Sequence, residues 1–278
     1  MQKLSAPLKN SSAAFTTKIS DCLTLGAGAE LNLSPKPGLV DRFDSGSHED
    51  LSYAGMLLSV SLLPRYYYEL AQAALSGADT AELRSAGLAA EKRMYEICGS
   101  NAHKGYIFLS GLVLLASLRG DDLRREIKEI SEGFFISALP ESNGETARRK
   151  YATGGITGEC LNGLPSVFDS ALPAMEKEYA GSGCTERTRF AGLAALMRTV
   201  EDTTAMHRCG REGLEIIRSD GHMLQELLKS DSHIPWLAER NEYYKSIRLT
   251  MGGAADLLAV SCALMLFNGS VSEFRRAF

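Results

Sequence analysis

The chain has 278 residues, of which 38 are leucine and 32 alanine, against 18 valines and isoleucines together. Leucine and alanine favour helix and β-branched residues favour strand, so this balance excludes a large sheet. With 45% hydrophobic and 23% charged residues and a net charge of −4, the chain is a well-cored globule without a concentrated cationic footprint, which argues against nucleic acid as a partner.

The N-terminal stretch Met1–Thr17 is rich in serine, alanine and lysine and lacks an apolar leader core, so it reads as a flexible segment. The six cysteines, at 22, 98, 160, 184, 209 and 262, form no C-x-x-C pair. Free thiols and a cytoplasmic location are the expectation. Amphipathic helices are predicted where apolar residues step by three or four: Leu83 to Ile97, Leu123 to Phe134 and Phe190 to Thr204. Three stretches, Leu51–Leu63, Tyr106–Leu118 and Leu257–Phe267, are apolar nearly all round. They are expected as central helices wrapped by the others, and none is long enough to span a membrane. No repeat and no low-complexity linker divides the sequence. The expectation is an all-α fold: a single globular multi-helix domain over residues 1–278, with buried central helices.

Glycine, proline and charged residues gather in a few segments just before apolar runs, where sites tend to lie. In Ser34-Pro35-Lys36-Pro37-Gly38-Leu39-Val40-Asp41 two prolines stiffen the backbone and present Lys36 and Asp41. His48 and Asp50 follow, just ahead of Leu51; a rigid turn with an Asp N-cap accounts for them equally well. Asn101-Ala102-His103-Lys104-Gly105 opens the next buried helix. A helix start offers free N–H groups, and cations there oppose the dipole unless an anion binds, so His103 and Lys104 are candidates for phosphate. Thr153-Gly154-Gly155-Ile156-Thr157-Gly158-Glu159 is a glycine loop that could admit a phosphate or be an ordinary turn; it is not a P-loop.

Glu201-Asp202-Thr203-Thr204 with His207-Arg208 is the sharpest physical anomaly. On a helical wheel with Phe190 at zero, Glu201 falls at about 20°, inside the apolar stripe, if the helix continues that far. A buried carboxylate needs a partner. Arg208 on the same face is one candidate, and Mg²⁺ shared with substrate phosphates is another. Met251-Gly252-Gly253-Ala254-Ala255-Asp256 places a further acid at the start of an apolar helix, where capping alone would explain it. No zinc, serine-hydrolase or dinucleotide-binding pattern is present.

Taken together and in order, seven of these blocks resemble the triphosphoribosyl-dephospho-CoA synthase family (ATP:dephospho-CoA triphosphoribosyltransferase). They are Pro35–Asp41, His48–Asp50, Asn101–Gly105, Gly154–Glu159, Gly163-Leu164-Pro165, Glu201–Thr203 with His207-Arg208, and Gly252–Leu258. The departures are small: Ala102 stands where threonine is expected, Thr204 where asparagine is usual and Ala254 where serine is common. The resemblance implies an all-helical enzyme that joins the triphosphoribosyl group of ATP to the 2′-OH of 3′-dephospho-CoA and releases adenine. It implies inversion at the ribose C1 and retention of the triphosphate. ATP and dephospho-CoA are then substrates, Mg²⁺ is the expected cation, and a homo-oligomer is compatible with it. The product would feed a separate carrier-protein transferase serving citrate lyase or malonate decarboxylase.

Under that resemblance, Glu201, Asp202 and Asp256 are expected to hold Mg²⁺, with Glu201 and Asp50 stabilising charge on the ribosyl cation. Lys36, Asp41, His103, Lys104, Thr203, His207, Arg208 and the backbone at Gly154, Gly155 and Gly158 are expected at the substrate and its phosphates. His48 or Glu159 is the expected proton acceptor. A Mg²⁺-dependent N-glycosyl hydrolase of ADP-ribose-like nucleotides and a non-catalytic nucleotide- or carrier-binding module are the competing readings.

Overall fold

The computed structural model describes residues 8–100, 102–135 and 143–270. Among the described residues there is no β-strand, and the chain is built from helices. They are α1 (Ala13–Leu31), α2 (Tyr53–Leu75), α3 (Thr80–Cys98), α4 (Lys104–Arg119), α5 (Leu123–Phe135), α6 (Asn143–Tyr151), α7 (Gly155–Leu161), α8 (Leu172–Ser182), α9 (Thr185–Thr199), α10 (Thr203–Lys229), α11 (His233–Ser246) and α12 (Gly252–Phe267). A π-helical segment, Ser166–Ala171, leads into α8. Of the N-terminal segment, residues 1–7 lie outside the described residues and residues 13–17 form the first turn of α1.

Two of the three expected central helices are central. From Tyr106 to Arg119 every residue of α4 except Phe108 is buried, and so is every residue of α12 from Leu257 to Leu266. The third expectation, Leu51–Leu63, needs correction: Leu57 and Leu58 are exposed by 42% and 45%. That helix also runs on through Pro64 to Leu75. An internal proline costs about 3 kcal/mol, and the burial of Tyr66, Tyr67, Leu70 and Ala71 beyond it offsets that. The true third central element is α1, whose C-terminal half from Gly26 to Leu31 is entirely buried. It lies so close to α12 that a Cβ on Gly26 would stand 2.4 Å from the carbonyl oxygen of Ala259.

The remaining helices wrap this trio. On α3, Leu83, Ala90 and Met94 face inward while Ile97 is half exposed. On α5, Ile127, Ile130 and Phe134 are buried. The stripe on α9 holds from Phe190 to Met197, but the helix stops at Thr199. Val200 is extended and Asp202 is the N-cap of α10. Glu201 therefore does not continue the α9 stripe. Asp-Thr-Thr is poor helix interior and good cap, because short polar side chains bond to nearby backbone. α10 itself kinks at Gly210, where φ is 68°. No helix among the described residues is long and apolar enough to cross a membrane.

Candidate functional site

Helix starts bring the singled-out segments together. Asp202 is fully buried. Its Oδ1 accepts from the backbone N–H groups of Thr204 and Ala205 at 2.9 and 3.1 Å, and its Oδ2 from Ala254 N at 2.9 Å. One carboxylate thus caps two helices, α10 and α12, and locks their starts side by side. Burial pushes its carboxyl up, and the backbone N–H groups around it, Gly253 included, push it back down. The acid that serves the first turn of α12 is thus Asp202, reaching from another element.

Asp256, one turn into α12, does something else. Its carboxyl packs against the start of α4, where a Cβ on Gly105 would lie 2.0 Å from Oδ2. A side chain at Gly105 would have to displace that carboxylate. Burial first, then the neighbouring Glu30 and Asp202 carboxylates, hold its carboxyl well above the usual range.

Glu30 carries no mark in the motif blocks. It lies in the last turn of α1, is buried, and receives the Lys36 ammonium. The same Nζ donates to the Glu30 carbonyl at 2.8 Å, and Arg189 donates to the Ala29 carbonyl at 2.8 Å. Two cations so meet the negative end of a buried helix. Burial raises the Glu30 carboxyl while Lys36 lowers it. The sequence did carry a signal: an acid at the C-terminal end of an apolar helix opposes the dipole unless a cation is supplied. Lys36, expected on display on a stiff loop, is instead 1% exposed. The loop around it is held by Asp41, also buried. Its carboxylate accepts from the Ser34 hydroxyl and the N–H groups of Lys36, Phe43 and Asp44.

His103 is the N-cap of α4 and is buried. Burial, then the Lys36 charge, press its pKa down to about 4. Without a bound anion its ring is neutral at physiological pH, so it offers a hydrogen bond there, not the positive charge expected for a phosphate. Lys104 beside it is half exposed and lies 3.6 Å from Glu91 of α3.

The second group is more open. Glu201 is exposed. Its Oε2 accepts from the Thr153 hydroxyl and from Gly154 N at 2.8 Å. The Thr153 bond, then the Gly154 and Gly155 amides, hold its carboxyl below the usual range despite some desolvation. The expected burial of Glu201 and its pairing with Arg208 are thus replaced by a link to the glycine loop. Gly155 has φ +52°, and a Cβ there would meet Thr203 Cγ2 at 2.6 Å, so the loop sits directly on the start of α10. A Cβ at Gly158 would meet nothing. Glu159 is turned away, binding the Ser166 hydroxyl at 2.5 Å and its N–H at 3.1 Å. Burial raises its carboxyl.

Arg208 is exposed on α10 and donates to the Ser47 carbonyl at 2.6 Å. His48 Nε2 lies 3.0 Å from the Thr250 hydroxyl. Burial and then Arg208 lower the His48 pKa. Asp50 is exposed, with an oxygen 4.0 Å from His48 Nδ1; the N-cap of α2 is Ser52. His207 points to solvent. Asn101 lies outside the described residues. An open depression of about 720 Å³, on α1 and against Pro64, shares no residue with this region.

Five segments distant in sequence, 36–50, 103–105, 153–159, 201–208 and 250–256, so meet around the starts of α4, α10 and α12. Comparison of the sequence with known proteins shows the family. The model of the family described as ATP:dephospho-CoA triphosphoribosyl transferase (CitG) matches residues 16–138 and 135–273. The chain belongs to that family. Among its relatives are three proteins named "Probable 2-(5''-triphosphoribosyl)-3'-dephosphocoenzyme-A synthase". The one from Azotobacter vinelandii is 34% identical, covering 84% of this chain and 86% of its own. That from Pseudomonas aeruginosa is 31% identical, covering 91% and 92%. That from Photobacterium profundum is 30% identical, covering 86% and 84%. No solved structure matches. This member of the triphosphoribosyl transferase family is an enzyme.

The three carboxylates expected to hold Mg²⁺ do not form one cage. Asp202 spends both oxygens on amides, Asp256 favours its proton, and Glu201 stands apart with the glycine loop. Among the described residues no group of three or more His, Cys, Asp or Glu side chains is arranged to hold a metal ion.

Proposed function

We propose that this enzyme transfers the triphosphoribosyl group of ATP to the 2′-OH of 3′-dephospho-CoA, with release of adenine, within a single all-helical catalytic domain. The observation that carries this reading is the convergence of the five segments on buried helix starts in a member of this transferase family. The product would be the prosthetic-group precursor loaded by a carrier-protein transferase for citrate lyase or malonate decarboxylase. The six free thiols suit a reducing cytoplasm.

The ribose C1–N bond breaks with cationic character on the sugar, while the phosphorus atoms stay untouched. The triphosphate must be gripped, and we assign that grip to the exposed cationic or polar side chains Arg208, His207 and Lys104. Glu201, exposed and ionised, is the carboxylate placed to face the developing ribosyl charge. A Mg²⁺ ion would arrive with the triphosphate, bound mainly by phosphate oxygens, and would neutralise their charge.

The test is incubation with ATP, Mg²⁺ and dephospho-CoA, followed by mass spectrometry. Equal amounts of adenine and the CoA adduct are expected. Folded protein that yields neither would overturn the proposal, and free triphosphoribose in place of the adduct would mark a hydrolase. Glu201→Ala should slow adenine release by about 10²–10³-fold.

A further inference from the structure

Ser59 belongs to none of the motif blocks, yet it meets the most buried imidazole of the site. It lies on α2 and is fully buried. Its Oγ is 2.7 Å from the Met56 carbonyl oxygen and 2.5 Å from His103 Nδ1. A serine hydroxyl has one proton, and a carbonyl oxygen can only accept. The proton must therefore point at Met56 O, or two acceptors would face each other at 2.7 Å. The second contact then needs a hydrogen from the ring, so His103 carries its proton on Nδ1 and donates it to Ser59. In a neutral ring this leaves Nε2 as a bare lone pair. That atom is buried and has no hydrogen-bond partner. A buried acceptor without a donor is costly, and such atoms call for a functional account.

We infer that Ser59 fixes the His103 tautomer so that Nε2 accepts the proton of a substrate hydroxyl, with Ser59 as a positioning residue. This rests on the proposed transfer reaction. There the hydroxyl is the 2′-OH of dephospho-CoA. Its O–H bond breaks as the oxygen–C1 bond forms, and the proton passes to Nε2. The electron pair of the C1–N bond leaves with adenine, which takes a proton from solvent, and His103 later returns its own to solvent. The placement suits the step: His103 opens α4 two residues before Gly105, against which Asp256 packs. Burial, then the nearby Lys36 charge, keep the resting ring neutral, so its lone pair is not already taken by a proton. The other two imidazole and carboxylate candidates are engaged elsewhere, His48 with Thr250 and Glu159 with Ser166.

Two measurements on the full chain decide it. The first is the ring state, read from long-range proton–nitrogen correlations of histidine-labelled protein, with His103 assigned by the signal lost in His103→Asn. A protonated Nδ1 with an unprotonated Nε2 is expected, and a mixed tautomer in Ser59→Ala. A protonated Nε2 in the wild type, or an unchanged ring in Ser59→Ala, overturns the assignment to Ser59. The second is turnover. His103→Asn keeps an amide N–H for Ser59 but has no acceptor at the Nε2 position. Its kcat should fall by about 10²-fold or more, with KM for ATP little changed. His103→Gln, whose amide reaches that position but cannot take up a proton, should not restore it. Wild-type kcat in His103→Asn overturns the role of Nε2. A wild type that releases no adenine sinks the transfer reaction and the hydroxyl assigned to it; the ring state still stands or falls on the first measurement.

Discussion

The starts of α12 and α4 lie side by side and are built in opposite ways. At α12 a carboxylate from another helix, Asp202, takes up the Ala254 amide. At α4 the N-cap is His103, with no side-chain cap bond, a neutral ring and an unpartnered Nε2. One start is closed by protein groups and the other is left with unspent hydrogen-bonding capacity. Neighbouring acids divide along the same line: Asp202 is buried and committed to amides, whereas Glu201 is exposed and ionised. Committed and uncommitted polar groups thus stand next to each other, the second held in place by the first.

Disturbing this contrast should have graded effects. The largest is expected from Lys36→Met, which leaves the buried Glu30 carboxylate unpaired. A stability loss of about 3–5 kcal/mol should be seen in denaturant unfolding. Adding Glu30→Leu should recover part of it. Asp202→Ala would make the start of α12 as uncapped as that of α4. Loss of a cap costs about 0.5–2 kcal/mol per helix, and two helices share this one. Hydrogen exchange should speed up at Ala254 and Thr204 first.

Asp256→Asn tests the interior beside the open start. The Asp256 carboxyl is raised in the folded state, so the native chain holds a proton that the unfolded chain releases. Its contribution is therefore intact below the unfolded aspartate pKa, about 3.9, and declines as pH rises toward the folded value. The neutral asparagine should gain stability over the wild type as pH increases across that window, read as a growing difference in Tm. An unchanged difference from pH 4 to pH 8 would show that Asp256 is ionised in the fold. The smallest effect on stability is expected from Glu201→Gln. At an exposed site it should stay within about 0.5 kcal/mol, while adenine release falls. A large stability loss instead would make Glu201 a second structural acid.

Much of the fold follows from local pattern. The apolar runs of α4 and α12 and the stripes of α5 and α9 are buried as their spacing implies. The segment Leu51–Leu63 misled because an apolar residue on a surface helix looks the same in sequence as one in the core. The wheel that placed Glu201 inside assumed that α9 continues, and Asp-Thr-Thr, a cap signature, ends it.

By itself the sequence determined an all-helical chain, the clustering of polar residues at helix starts, and the order of blocks that resembles one transferase family. Periodicity and capping are local properties, so they can be read along the chain. Only the tertiary structure decided which acids are spent and which are free. Whether a carboxylate is capped or an imidazole is partnered depends on groups more than 40 residues away, as Asp202 with Ala254 and Ser59 with His103 make plain. Tautomer and charge state are set by such contacts, and no spacing within one segment encodes them.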